Sequence, residues 1–162
     1  MASFPETPAL KAAKRGYQQA FKAVTVGLLI AYLMIAPFDE SLLWPLHSGY
    51  TLNLLFGVVL LYASGYFLGR IAGKLILIKN YPAFLVGIGS GFLMTGAAAF
   101  LGGFPAFLTE GLQGGWGIKY AFGDYILKPV IMVWFWGFFP ILLIGLWYGW
   151  SVKRRGFKSW QG

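Results

Sequence analysis

The sequence predicts an all-α membrane protein, a four-transmembrane-helix bundle with both termini cytoplasmic. Three observations predict it. Long apolar runs are separated by short charged clusters, and only 11% of the 162 residues are charged while 58% are hydrophobic, against about 25% charge in a soluble domain. Basic residues gather at the termini and at the connection between the second and third runs, eleven of thirteen in all. Four of the five acids fall in the other two connections, which is the positive-inside pattern.

Composition also excludes function classes. There is no cysteine, so disulfide scaffolds, thiolate metal sites and cysteine nucleophiles drop out. A single histidine, His47, rules out a bis-histidine haem within one chain. The net charge of +8 is assigned to anionic lipid and not to nucleic acid.

Residues 1–16 read as a polar cytoplasmic arm, with a short surface-lying amphipathic helix around residues 9–21. The first span covers residues 17–38 and is read as a retained anchor, because Pro37, Phe38, Asp39 and Glu40 follow it where a signal peptide would have small residues. An outer loop, 39–51, carries Trp44 and His47. The second span, 52–77, starts as an uninterrupted apolar run and ends in a basic foot, and Asn80, Tyr81 and Pro82 make the turn that follows. Pro82 suits the first turn of the third span, 83–104. Residues 105–127 are expected to be a second outer loop, since five glycines after Pro105 argue against a long regular helix. The fourth span, 128–150, contains Pro140, which removes a backbone hydrogen bond and predicts a kink.

Four groups of residues are candidates for function. Gly65, Gly69 and Gly73 in the second span, and Gly87 and Gly91 in the third, recur at spacing four. That spacing keeps them on one helix face and lets backbones approach. The expected use is that the two ridges pack on each other within one hairpin; a ridge that docks another subunit is the sharper alternative. Arg70, Lys74 and Lys79, with Lys153, Arg154 and Arg155, form a basic cytoplasmic face for lipid phosphate or an acidic partner, against the plainer reading that Arg70 and Lys74 snorkel to the interface. His47, Asn53, Asp124 and Lys128 are expected at similar depth, as an outer polar pocket or merely an ion pair at the rim. Lys128 would open the fourth helix, where a cation opposes the macrodipole. Finally, the aromatic run around Pro140 can line a cavity for a flat apolar ligand such as a quinone, pigment or sterol-like lipid.

No acid falls near the middle of a span, and no phosphate loop, metal cluster or catalytic order of residues is present in the sequence. The expectation is a non-enzymatic subunit or accessory protein of a larger membrane complex, without cofactor or metal, in a bacterial inner membrane. Its partners would be anionic lipids and other membrane subunits or further copies of itself. A homo-oligomeric channel or small transporter is the first alternative, and a lipid- or isoprenoid-modifying enzyme the second. Reporter fusions at the two termini are expected on the same, cytoplasmic, side of the membrane; opposite sides would refute an even number of spans.

Overall fold

The computed structural model describes residues 7–35, 51–112 and 117–158. Among these every regular element is helical. Helix α1 is Pro8–Ile35, α2 is Thr51–Leu77 and α3 is Ala83–Gly102. A short α4, Phe104–Ala106, leads into a wide π-turn, Phe107–Gly111. Helix α5, Ile118–Phe122, passes through a second π-turn, Gly123–Leu127, into α6, Lys128–Trp136, and α7 is Phe138–Lys158.

Leu54–Leu77 and Ala83–Gly111 are each long and apolar enough to cross a membrane, and the pair Ile118–Trp136 and Phe138–Arg154, bent by 70°, makes a third such segment if taken as one. The chain is thus an integral membrane protein by helix length and composition.

Pro8 opens α1, where a missing N–H costs nothing. The helix then runs unbroken through the residues expected to form a separate arm. Its N-terminal half does not lie apart from the bundle: Ala12, Ala13 and Ala20 are buried. Lys11, Gln18 and Lys22, at helical spacing, fall on the exposed face. At the far end of α2, Asn80 takes a left-handed conformation (φ 54°). This brings the Tyr81 N–H back to the Leu75 carbonyl at 3.1 Å and closes the helix. Pro82 then caps α3, its carbonyl accepting from Val86 at 3.1 Å.

Packing corrects the expected pairing of the glycine ridges. The ridge on α2 packs on α1, not on α3. A Cβ at Gly16 would overlap the Gly69 carbonyl oxygen and stand 2.8 Å from the Gly73 Cα. One at Gly73 would overlap the Ala12 carbonyl oxygen, and one at Gly65 would touch Val24 at 3.4 Å. The ridge on α3 packs on α7: a Cβ at Gly87 would overlap the Gly145 carbonyl oxygen, and one at Gly91 would meet Ile141 at 3.2 Å. The reason is that each ridge found a partner with equally small residues, Ala12, Gly16 and Ala20 on α1, and Gly145 and Gly149 on α7. Helices α2 and α3 still touch, with Ser64 Oγ donating to the Met94 carbonyl at 3.3 Å.

The contacts run antiparallel along each pair, and α7 also packs against α1. They also reveal an internal repeat. A shift of 71 residues carries Ala12, Gly16, Gln19 and Ala23 of α1 onto Ala83, Gly87, Ser90 and Met94 of α3, all of them buried positions. A shift of 76 carries Gly69, Ala72, Gly73 and Ile76 of α2 onto Gly145, Tyr148, Gly149 and Val152 of α7, again all buried. Even a ring contact is repeated: Phe21 meets Tyr62 at 5.5 Å between centroids, and Phe92 meets Phe138 at 5.9 Å. The molecule is two similar hairpins, α1–α2 and α3–α7, packed side by side.

The segment expected as an outer loop, 105–127, is largely helical in its described part. Helices and π-turns let the backbone groups of such a segment bond to one another, as an apolar environment demands. Lys128 therefore does not stand at a helix start, because the helix begins at Ile118. Pro129 is accommodated by the wide turn Gly123–Leu127 before it. The Tyr125 carbonyl, which Pro129 cannot donate to, lies directly against Gly103, where any Cβ would overlap it.

Gly16→Leu is expected to lower stability in detergent by about 1–3 kcal/mol or more through overpacking. Gly57→Ala, with nothing within 4 Å of its Cβ position, should be neutral or slightly stabilising. Equal thermal shifts for the two would refute the packing role assigned to Gly16.

Candidate functional site: an apolar cleft between the repeats

The bundle is tight at one end and open toward the other. At the tight end Tyr148, only 2% exposed, donates its hydroxyl to the Gly16 carbonyl at 3.3 Å and ties α7 to α1. Val152 and Ala13 are buried as well. Further along, Pro140 removes the N–H that the Trp136 carbonyl would accept. Gly137 interrupts the helix there, and α6 swings away from α7 by 70°. The expected kink at Pro140 is present, and it is a full break.

After the break α6 follows α3. The Trp134 indole occupies the space left by Gly96, and its N–H donates to the Phe92 carbonyl at 3.2 Å. Helix α1 is left behind on its outer half, where Leu29, Leu33 and Met34 are exposed. The gap between α1 and the broken helix is a partly open cavity of about 350 Å³. It has the size of a small-ligand site.

Small residues form part of its walls, among larger ones such as Met94, Trp136 and Ile141. Ala23, Gly27 and Ala31 line it from α1, Gly91 from α3, and Gly137 and Gly145 from the broken helix. The cavity lies between the repeats: Ala23 and Met94, and Leu61 and Gly137, line it as corresponding pairs. The Thr95 hydroxyl spends its hydrogen on the Gly91 carbonyl at 2.9 Å, leaving the lining almost wholly apolar. Such a site holds hydrocarbon, aromatic or helix surface; it has no means to stabilise a charged or strongly polar guest.

The charged residues separate by position. Contacts such as Ala12 with Gly73 and Ala83 with Gly149 set the start of α1, the end of α2 and the end of α7 at one end of the bundle. Arg70, Lys74, Lys79, Lys153 and Arg154 therefore share that end; the Arg155 side chain lies outside the described residues. Arg70 does not simply reach for solvent: its Nη1 donates to the Tyr66 hydroxyl at 2.8 Å. Arg154 stacks 4.9 Å from the Trp150 ring centre. The described acids, Glu110 and Asp124, occupy the opposite end.

The outer polar pocket reduces to one described pair. Lys128 Nζ lies 3.5 Å from Asp124 Oδ1, both side chains more than 60% exposed. His47 falls outside the described residues, as do the side chain of Asn53 and the residues Trp44, Asp39 and Glu40. Among the described residues no group of three metal-binding side chains occurs.

Sequence reading missed Gly16, Gly145 and Gly149 as partners of the two ridges, although Gly145 and Gly149 show the same spacing of four. It also missed Tyr66, which stands four residues before Arg70 on the same face. Comparison with family models, curated proteins and solved structures finds no match.

The exposed Lys128–Asp124 pair contributes at most about 0.5 kcal/mol. Asp124→Asn should change the melting temperature in detergent by no more than about two degrees. A larger loss would mean that the pair is part of a wider network.

Proposed function

We propose that this chain is a non-catalytic subunit or accessory protein of a larger membrane complex, crossing the membrane four times with both termini cytoplasmic. On this reading α1 is the remaining span, and the end carrying Arg70, Lys74, Lys79, Lys153, Arg154 and Arg155 lies against anionic headgroups of a bacterial inner membrane. The cleft receives an apolar helix of a partner subunit.

The observation that supports this reading is the continuation of the α1 small-residue ridge past its own partner. Ala12, Gly16 and Ala20 are used against α2, but Ala23, Gly27 and Ala31 face the cleft. A Cβ at Gly27 would have Ile144 Cδ1 at 3.4 Å as its nearest neighbour. In lipid, where apolar burial alone gives little drive, a small-residue ridge gains energy only when another backbone comes close.

One feature favours a second reading, a small carrier. The cleft lies between two repeats beside a broken helix, the arrangement in which transporters place their binding sites. Its apolar lining would restrict such a carrier to apolar solutes. Flux of such a solute into liposomes holding this chain alone would favour that reading.

A photo-crosslinker at Ala31 is expected to trap a second membrane chain in native membranes. Gly27→Leu should reduce that adduct about tenfold by filling the groove while the chain still folds. Adducts only to lipid, or only to a second copy of this chain, would overturn the hetero-partner reading.

A further inference from the structure

The two repeats share one scaffold, and they differ sharply on one flank. On the first repeat Tyr17, Tyr66, Arg70 and Lys74 follow one another along the groove between α1 and α2. The corresponding positions of the second repeat are Ile88, Leu142, Leu146 and Trp150. Packing is therefore not what requires polar and cationic residues there, since the same helix pair closes with apolar ones. Leu146 and Trp150 are themselves exposed, as lipid-facing residues are.

The cation on this flank is held in place. The Tyr66 hydroxyl accepts from Arg70 Nη1 at 2.8 Å, and the guanidinium carbon stands 5.2 Å from the Tyr66 ring centre. Tyr66 is itself propped by Tyr17, ring to ring at 5.3 Å. Tyr17 packs on Phe21 at 5.8 Å, and Phe21 on Tyr62. Among the described residues the hydrogen-bond partner of Arg70 is this neutral hydroxyl, which takes one bond from a guanidinium that carries five N–H donors. Lys74 is exposed one turn further on. Arg70 stands about 10 Å along the axis before the end of α2, the depth of a lipid glycerophosphate rather than of bulk water.

We propose that Arg70, oriented by Tyr66 and assisted by Lys74, forms a discrete site for the phosphate of one anionic phospholipid, whose acyl chain lies along the Phe21–Tyr62 seam. Arginine is suited to this because its planar fork takes two phosphate oxygens at once. The apolar rings above it supply the surface that a free phosphate would not use. The site rests on the reading that this end of the bundle meets a headgroup layer.

Native mass spectrometry of the full chain in mild detergent, titrated with phosphatidylglycerol and phosphatidylcholine, tests it. One phosphatidylglycerol should bind in preference to phosphatidylcholine. Arg70→Leu should weaken that binding about tenfold and leave the melting temperature intact, because leucine already occupies the equivalent position in the second repeat. Tyr66→Phe should give an intermediate loss. Lys153→Gln with Arg154→Gln, elsewhere on the same basic end, should leave the first lipid in place. Unchanged binding by Arg70→Leu, or an equal loss in the Lys153/Arg154 variant, would overturn the site. Displacement of the lipid by millimolar inorganic phosphate would overturn its assignment to a lipid. The partner crosslink at Ala31 is read independently, so either result can fail without the other.

Discussion

Backbone contact where Cβ atoms are missing is the constraint on which this bundle depends. Gly16 against Gly69 and Gly73, and Gly87 against Gly145 and Gly149, bring helices so close that carbonyl oxygens fill the places of side chains. In water such contacts would add to a hydrophobic drive that already exists. In lipid they replace it, because a leucine gains little by exchanging acyl chains for another leucine. That is why the core is built from alanine and glycine, with Ile76, Tyr148 and Val152 among its few larger members.

The same constraint shapes the cleft. Helix α7 is held tightly to α3 at Gly87 and Gly91 and to α1 through Tyr148. Pro140 and Gly137 then free the rest of the segment to follow α3 alone. Helix α2, which has Leu61 at the position corresponding to Gly137, continues unbroken through it. One interruption in one repeat thus turns a nearly symmetric pair of hairpins into a molecule with an open side. The opening and the Arg70 flank are both departures from the repeat. Positions where one half differs from the other without a packing need are where recognition is most economically sought.

How much of this was legible depended on the range of the interaction. The α2 and α3 spans and the turn at Asn80 to Pro82 follow from local pattern, and the structure shows them close to the expected bounds. The weight given to glycine misjudged residues 105–127. Glycine opposes helix in water, but among apolar neighbours the backbone must bond to itself, and π-turns absorbed Gly111, Gly123 and Pro129. Gly69, Gly73 and Gly87 do lie against neighbouring backbones, but those backbones belong to α1 and α7 and not to each other's helices. A spacing of four says that a face is small; it does not say which other small face will meet it.

The sequence by itself determined that long segments of this chain are apolar enough to cross a membrane, that most of its cations fall in a few clusters, and that Pro140 would disturb the last helix. Those properties reside in single residues or in short runs. Only the tertiary structure decided that α1 pairs with α2 and α3 with α7, that the halves repeat one another, and that the break at Gly137 opens a cavity. Each of these depends on which of several similar faces approach one another, and that choice is made by the simultaneous fit of all the helices rather than by any one of them.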